Sequence, residues 1–310
     1  MPDDLVTLLS VVGGILIAAF IVGQVLRVRL GPTDVITNLN ARIYAWWVMV
    51  SALALAFWIG RLGVIGLFAL LSLGALREFT KLTAQTRADH WAQVATFGIA
   101  LPVQFWLIWD NWYGLYAVFI PVYAFLLLSI ATVIRGETDN FLRRVSEMHW
   151  ALMICVYAIS HVPALLYLSI PEYDGRNLLL IAYLIFVVQL SDVAQYIWGK
   201  LLGHHKVAPS LSPSKTWEGL IGGIATATLA GAGLWWMTPF SPLQSAGMAL
   251  IITLMGFFGG LVMSAVKRDR GIKDWGHLIK GHGGVLDRMD SLVFSAPVFF
   301  HLTRWFWSLT

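Results

Sequence analysis

The chain has 310 residues, of which 58% are hydrophobic and only 12% are charged, and its formal net charge is +4. Because a soluble globular domain carries about a quarter charged residues, this composition predicts a protein embedded in a lipid bilayer and leaves no polar stretch long enough for a soluble domain. The single cysteine, Cys155, excludes an intrachain disulfide and a multi-cysteine metal site.

The apolar runs predict the transmembrane organisation, since a membrane-spanning helix needs about 20 mostly apolar residues. The ten candidate segments are 5–26, 43–60, 62–76, 91–109, 113–134, 149–168, 178–198, 217–237, 245–266 and 291–309. The second and third are short and meet at Gly60-Arg61, so a re-entrant pair is the alternative for them. The first follows an acidic N-terminus and is long for a signal peptide, so we interpret it as a retained helix. The predicted fold is all-α, a polytopic transmembrane helical bundle of about ten spans.

The positions of Lys and Arg predict the orientation of these spans. Of the 21 such residues, 18 fall in one set of loops, whereas the other set holds Arg61 and Arg176, with Arg304 near the end of the last helix. Lys and Arg are enriched in cytoplasmic loops. The first set is therefore predicted to be cytoplasmic, and both termini are predicted to lie outside.

A first polar cluster, residues 191–200, lies at the C-terminal end of the seventh predicted span. Asp192, Gln195, Tyr196 and Gly199 follow a spacing of three, four and seven residues, so they share one helical face, and Lys200 follows them. An ionisable residue in a membrane helix is costly and therefore suggests a function. The alternative is an aspartate at the membrane interface that is solvated or paired with a neighbouring cation.

A second cluster, residues 206–219, precedes the eighth span. Pro209 and Pro213 predict a short stiff loop. Ser214 or Thr216 is predicted to cap the following helix, with Glu218 in its first turn. Hydroxyl and ammonium donors at a helix N-terminus suit a phosphate, although an ordinary capped loop is the alternative.

A third cluster, residues 264–291, contains six cations and four carboxylates. Gly281, Gly283 and Gly284 would let the backbone approach a ligand closely. Asp287 and Asp290 are three residues apart and can face one site. Carboxylates beside phosphate-binding cations suit Mg²⁺, which takes one or two protein carboxylates and completes its shell with water and substrate phosphates.

The third cluster resembles the signature of the phosphatidate cytidylyltransferases (CDP-diacylglycerol synthases). The matching elements are Ser264, Lys267-Arg268, Lys273-Asp274, His282-Gly283-Gly284 and Asp287-Arg288-Met289-Asp290. The other two clusters are also similar to family motifs. The first cluster matches its motif at Asp192, Tyr196, Gly199 and Lys200 and departs from it at Gln195. The second matches in the stretch Ser212-Pro213-Ser214-Lys215-Thr216-Trp217-Glu218-Gly219. The resemblance covers roughly residues 180–295 and implies that CTP and phosphatidate give CDP-diacylglycerol and pyrophosphate.

The resemblance also implies roles for individual residues. Asp287 would be the principal Mg²⁺ ligand, with Asp290 and Asp274 as ligands or supporting partners, and a second metal ion is an alternative. The implied catalytic residues are Asp287, Lys267, Arg268, Lys273, Asp274, His282 and Arg288. For His282 two interpretations stay open: a donor to pyrophosphate or partner of Asp287, and a packed turn histidine.

The implied substrate-binding residues are Asp192, Tyr196, Lys200, Ser212, Lys215, Thr216, Glu218, Ser264, Gly283 and Gly284. The resemblance divides the chain into N-terminal transmembrane helices of unassigned role, 1–170, and a catalytic transmembrane region, 171–310. It further implies a homodimer in a bacterial cytoplasmic membrane with its active site facing the cytoplasm. The expected partners are CTP, phosphatidate and the bilayer, and no nucleic acid is expected.

One departure from the family pattern concerns the metal site. The family has Gly-Asp-Leu-x-Glu-Ser before Lys-Arg, whereas this chain has Gly260 in place of the aspartate and Met263 in place of the glutamate. This departure leaves three interpretations: the metal site has different ligands, it binds the metal more weakly, or it uses Asp192 or Asp274 as a ligand. The alternatives for function are a CTP-dependent kinase or transferase acting on another lipid, and a non-catalytic homologue. A transporter is disfavoured because the charges cluster on one face.

Overall fold

The computed structural model describes residues 3–82, 89–134, 138–276 and 283–309. Helices make up most of these residues, which confirms the all-α prediction. The first part of the chain forms α1 (Asp3–Leu30), α2 (Asp34–Ile59), α3 (Arg61–Thr80), α4 (Asp89–Ala95), α5 (Leu101–Trp109), α6 (Tyr113–Val118), α7 (Phe125–Val133), α8 (Phe141–Leu152) and α9 (Ile159–Ala164).

Three π-helical segments join six of these helices in pairs. Thr96–Ala100 links α4 to α5, Phe119–Ala124 links α6 to α7, and Met153–Ala158 links α8 to α9. The second segment contains Pro121, which has no N–H to donate and so interrupts the regular α-helical hydrogen bonds. Each pair therefore forms one continuous helical span.

The second part of the chain combines long helices with one small hairpin. Its elements are α10 (Asn177–Leu201), β1 (Lys206–Ala208), β2 (Ser212–Thr216), α11 (Trp217–Gly233), α12 (Pro242–Asp269), α13 (Val285–Met289) and α14 (Leu292–Trp307). The two strands are antiparallel, with Lys206 opposite Thr216 and Ala208 opposite Ser212 across an irregular register. The prediction of a plain loop here was wrong. Pro213 is compatible with a two-stranded hairpin because both strands are edge strands.

Each of the ten predicted spans corresponds to helix in the structure. Among the described residues, eight helical segments are long and apolar enough to cross a membrane, judged by length and composition. They include α2 and α3, with 26 and 20 residues, so neither needs to be re-entrant. The other two, α11 and α14, have 17 and 16 residues, and the count of ten spans stays a prediction.

The helix predicted from residue 149 in fact begins at Phe141. Its first two turns carry charged residues. The predicted spans were defined by apolar runs, so these turns were not included in the prediction. Glu147 accepts hydrogen bonds from Arg143, on the same helix, and from Arg270, which follows α12. The pairing lets these turns pack against the protein, because a buried charge is tolerated when it is paired and hydrogen-bonded.

Helices α10 and α11 pack very closely because glycines line their contact. A Cβ atom added to Gly219 would lie 2.7 Å from the carbonyl oxygen of Gln195 and 3.1 Å from the Cα of Gly199. A Cβ at Gly223 would collide with the side chain of Gln195. Small residues permit such backbone approach between membrane helices. The contact places the first polar cluster directly beside the second.

Candidate active site

A polar cavity of about 380 Å³ lies where the C-terminal end of α10 meets β2, α11, α12 and α13. Its volume falls within the range of small-molecule sites, about 300–1,000 Å³. The predicted site residues that line it are Asp192, Tyr196, Lys200, Lys215, Thr216, Ser264, Asp287, Arg288 and Asp290. Three clusters that are separate in sequence therefore contribute to one site.

The hairpin delivers the second cluster to this cavity. The hydroxyl of Thr216 accepts a hydrogen bond of 3.1 Å from the backbone N–H of Gly219, which confirms Thr216 as the cap of α11. The carboxylate of Glu218 turns to the base of the hairpin, where it accepts from the backbone N–H groups of His204 and His205. Its 2.6 Å contact with the His205 ring is the main reason why the pKa of Glu218 falls to about 2. Glu218 thus holds the hairpin rather than lining the cavity.

Asp287 forms a buried ion pair with Lys267. Its Oδ1 lies 2.9 Å from the ammonium of Lys267, and both side chains are nearly inaccessible. Its Oδ2 accepts from the backbone N–H groups of Trp275 and Gly284, at 2.8 and 2.9 Å. A carboxylate has about four lone-pair positions, and three are used here. Asp287 therefore fixes the backbone of the third cluster and keeps at most one position for a metal.

Asp192 and Asp290 are the less committed carboxylates of the cavity. The hydroxyl of Ser291 donates to Asp192 at 3.1 Å, and the backbone N–H of Ser291 donates to Asp290 at 2.8 Å. Neither carboxylate forms a salt bridge within 4.0 Å among the described residues. Burial raises the pKa of the Asp290 carboxyl, although Lys267, Lys215 and Arg288 oppose the shift. Ser291 therefore connects two carboxylates that face the same space.

This carboxylate pair fits a Mg²⁺ ion better than it fits a metal that needs many protein ligands. Within the described ranges, no group of three or more His, Cys, Asp or Glu side chains is arranged to hold a metal. Mg²⁺ does not need such a group, since one or two carboxylates suffice when water and substrate phosphates complete its shell. Asp192 and Asp290 each retain an oxygen that no described donor occupies.

Four cations line the same cavity as the carboxylates. Lys215 is half-buried, and burial lowers the pKa of its ammonium while Asp192 and Asp290 oppose the change. The Nε of Arg288 is buried without a hydrogen-bond partner in the described part of the chain. Lys200 and Lys206 are exposed at the opening. An unsatisfied guanidinium donor beside several ammonium groups suits the oxygens of a phosphate chain.

Several predicted site residues lie outside the cavity. Arg268 donates to the backbone carbonyls of Leu211 and Ile272, so it joins the hairpin turn to the end of α12. Lys273 and Asp274 are exposed. Ser212 pairs within the hairpin, Gly283 packs on the Asp287 carboxylate with a φ of +79°, and Gly284 packs on Glu78. His282 lies outside the described residues. Asp274 is thus not among the residues that line the cavity, and its role towards a metal stays a prediction.

Sequence reasoning missed Glu78, at the C-terminal end of α3. Its two carboxylate oxygens accept 2.9 Å hydrogen bonds from the backbone N–H groups of Val285 and Leu286. A Cβ atom at Gly276 would lie 2.6 Å from this carboxylate, and one at Gly284 would collide with it. The one signal in the sequence was an acidic residue at the end of an apolar run. Glu78 anchors the third cluster to the N-terminal helices, although the predicted division at residue 170 stays a prediction.

Comparison with known proteins identifies the family of this chain over most of its length. A profile described as the cytidylyltransferase family matches residues 40–306. The Escherichia coli K12 protein YnbB, described as uncharacterised, is 38% identical over 298 residues, which cover 96% of this chain and 97% of that protein. The phosphatidate cytidylyltransferases of Staphylococcus aureus COL and Staphylococcus saprophyticus are 33% and 38% identical over 174 and 177 residues. These alignments cover 56% of this chain and 66% of each relative. The chain therefore belongs to the cytidylyltransferase family and is a nucleotidyltransferase.

Proposed function

We propose that the protein transfers the cytidylyl group of CTP to phosphatidate, forming CDP-diacylglycerol and releasing pyrophosphate. The observation that carries this proposal is the cavity, in which two uncommitted carboxylates lie among four cations. A triphosphate and a lipid phosphate bring many negative charges into one place, and the cations that line the cavity would offset them. The staphylococcal relatives named for this reaction align with about half of the chain, which supports phosphatidate as the acceptor.

In the proposed reaction, an oxygen of the phosphatidate phosphate attacks the α-phosphorus of CTP. A new P–O bond forms, the bond between the α-phosphorus and the oxygen bridging to the β-phosphate breaks, and its electron pair leaves with pyrophosphate. The second ionisation of a phosphate monoester has a pKa of about 6, so the nucleophile is already charged near neutral pH and needs no general base. The protein then acts by positioning the reactants and offsetting charge.

The side chains in the cavity divide this work. Lys215 and the guanidinium of Arg288 lie near the carboxylates, where they would bind phosphate oxygens, and Arg offers a planar pair of donors. Asp192 and Asp290 would hold Mg²⁺, with at most one further contact from Asp287. When bound, this ion would offset the charge of the CTP phosphates and of the leaving pyrophosphate.

The location of the cavity suits two different substrates. It lies at the ends of transmembrane helices, so a lipid could enter from the bilayer while its tails stay there, and CTP could enter from water. We propose a bacterial cytoplasmic membrane because the relatives are bacterial. We propose that this face is towards the cytoplasm because 18 of the 21 Lys and Arg residues fall in the predicted loops on that side. A homodimer is a further proposal, and light scattering of the detergent-solubilised protein would test it.

The test is an assay for transfer of label from CTP into lipid. Protein purified in detergent would be incubated with Mg²⁺, phosphatidate and CTP labelled in the cytidine. We expect label in the lipid phase, and a loss of at least about 100-fold in the Asp290→Asn variant because several kcal/mol of charge stabilisation disappear. Asp34→Asn, which changes an exposed carboxylate in the first turn of α2, is the matched control and should retain activity. Absence of lipid label from folded protein would contradict the proposal.

A further inference from the structure

Two arginines on the membrane face opposite the cavity have no ion-pair partner. Arg304 is in the last turn of α14, a helix that begins beside the cavity and whose 16 residues give it a length of about 24 Å. Arg61 begins α3 on the same face. Exposed carboxylates such as Asp110 are present there, but none lies within 4.0 Å of these two guanidinium groups among the described residues. The third arginine of this face, Arg176, is paired with Asp4 at 2.7 Å. Arg61 and Arg304 are therefore unpaired cations on a face where Lys and Arg are otherwise scarce.

Each of the two arginines lies over a tyrosine ring. The guanidinium carbon of Arg304 is 3.6 Å from the centre of the Tyr113 ring, and that of Arg61 is 5.2 Å from the centre of the Tyr167 ring. At 3.6 Å the two groups are in van der Waals contact, so the Arg304 guanidinium lies flat on the ring and its N–H donors point outwards in its own plane. Neither guanidinium donates a hydrogen bond within the described ranges. The tyrosines therefore hold the two cations by cation–π attraction and leave their donors for a ligand.

The two tyrosines line one small cleft. It lies where α5 and α14 end, α6 begins and the turn after α9 passes, and Arg304 and Asn111 also line it. Its enclosed volume is about 20 Å³, which is room for one water-sized group. A single phosphate oxygen fits this space, and the rest of such a ligand would lie at the open mouth of the cleft. The cleft thus joins both arginine–tyrosine pairs into one site.

The surroundings of the cleft favour a lipid over a soluble anion. Trp112 adjoins Tyr113 in the chain, Trp305 adjoins Arg304, and both tryptophans are exposed. Trp109, at the end of α5, is exposed as well. In membrane proteins, tryptophan is enriched at the level of the lipid headgroups. The cleft therefore lies at the depth where the bilayer itself presents phosphate groups.

We propose that Arg61 and Arg304 bind the phosphate group of an anionic phospholipid in the leaflet opposite the cavity. The planar fork of a guanidinium group matches two oxygens of one phosphate. Two unpaired cations would also repel the ammonium group of a zwitterionic headgroup, so a headgroup without a cation is preferred. This lipid is a ligand of the far face and not the acceptor substrate, and its binding needs neither CTP nor a divalent ion.

The test is native mass spectrometry of the detergent-purified protein with added phosphatidylglycerol or phosphatidylcholine. The wild type should bind one phosphatidylglycerol more tightly than phosphatidylcholine. Arg304→Gln and Arg61→Gln should each weaken this binding about tenfold, because each removes a charge-assisted contact. Arg304→Lys keeps the charge without the paired donors and should recover only part of the affinity. Arg176→Gln removes an equal charge from the same face and is the matched control, because Arg176 is already paired; it should bind as the wild type does.

Two further arms distinguish this site from others. Lys215→Gln, in the cavity wall, should leave the affinity for phosphatidylglycerol unchanged. A loss of affinity in Lys215→Gln with none in Arg304→Gln would place the lipid in the cavity and overturn the inference. Glycerophosphoglycerol, which is the headgroup without acyl chains, should not displace the lipid at equal concentration. Displacement would identify a soluble phosphate ester as the ligand and overturn the assignment to a lipid.

Equal affinity of the wild type for the two lipids, or an affinity within twofold of the wild type in both arginine variants, would also overturn the inference. Thermal unfolding shows whether each variant is folded. If Arg304→Gln is not, Arg61→Gln decides the question, because the Arg61 side chain is exposed. Transfer of label from CTP to lipid tests the opposite face, so its absence would refute the proposed function and leave this inference standing.

Discussion

Glu78 is distant from the third cluster in the sequence, but we expect it to control the local stability of that cluster. Both of its oxygens accept backbone N–H groups, those of Val285 and Leu286. In the nearly isosteric Glu78→Gln variant an NH₂ group replaces one oxygen, so one N–H loses its acceptor and faces another donor. Leaving such a donor unsatisfied costs about 1–3 kcal/mol, which corresponds to a factor of roughly 5 to 150 in the equilibrium for local opening.

Hydrogen–deuterium exchange of the segment 283–289 would measure this change directly. In Glu78→Gln, the amides of Val285 and Leu286 should exchange roughly 5 to 150 times faster than in the wild type. Transfer of label to lipid should fall in parallel, because the same backbone positions Asp287. Glu172→Gln, at an exposed glutamate in the turn before α10, is the control. Unchanged exchange at the two amides in Glu78→Gln would refute the proposed anchoring role.

Three further predictions concern stability. Thr216→Val removes the cap of α11 and should destabilise the protein by about 1 kcal/mol, measured as a lower Tm in detergent. Among the described residues, Arg270→Met leaves the buried Glu147 with its exposed partner Arg143 alone, so it should cost roughly 3 kcal/mol. A smaller loss of Tm than in Arg143→Met would contradict this. Because its hydrogen bond to histidine lowers the pKa of Glu218 to about 2, this contact stabilises the fold above the ordinary glutamate pKa and is lost as the pH falls from about 4.5 to about 2. The Tm of the wild type should therefore fall more than that of Glu218→Gln over this interval, and equal decreases would exclude the contact.

The transmembrane helices and the grouping of the three clusters could be predicted from the sequence, because both depend on side-chain type. Apolar runs mark helices that must satisfy their backbone hydrogen bonds in lipid. The spacing from Asp192 to Gly199 placed these residues on one face of α10, and the structure places Asp192 and Tyr196 in the cavity wall. The cap at Thr216 followed from the same kind of local rule.

Other features depend on contacts that side-chain patterns do not record. The hairpin of β1 and β2 is a backbone pairing of very short strands, and its prolines indicated a loop. Glu78 binds backbone N–H groups about 200 residues away, so no spacing rule connects it to the third cluster. The first turns of α8 carry charge, so the predicted span began at residue 149 and missed the start of the helix at Phe141.

The most direct test of the central claim is to follow the two ends of the CTP triphosphate separately. Wild-type protein would be incubated with Mg²⁺, phosphatidate and CTP labelled with ³²P at either the α- or the γ-phosphate. Cytidylyl transfer predicts that the α-label enters the lipid and that the γ-label is released as pyrophosphate. Appearance of the γ-label in lipid with release of CDP would identify a lipid kinase and contradict the account. Absence of both labels from every phosphorylated lipid offered to folded protein would mean a non-catalytic homologue.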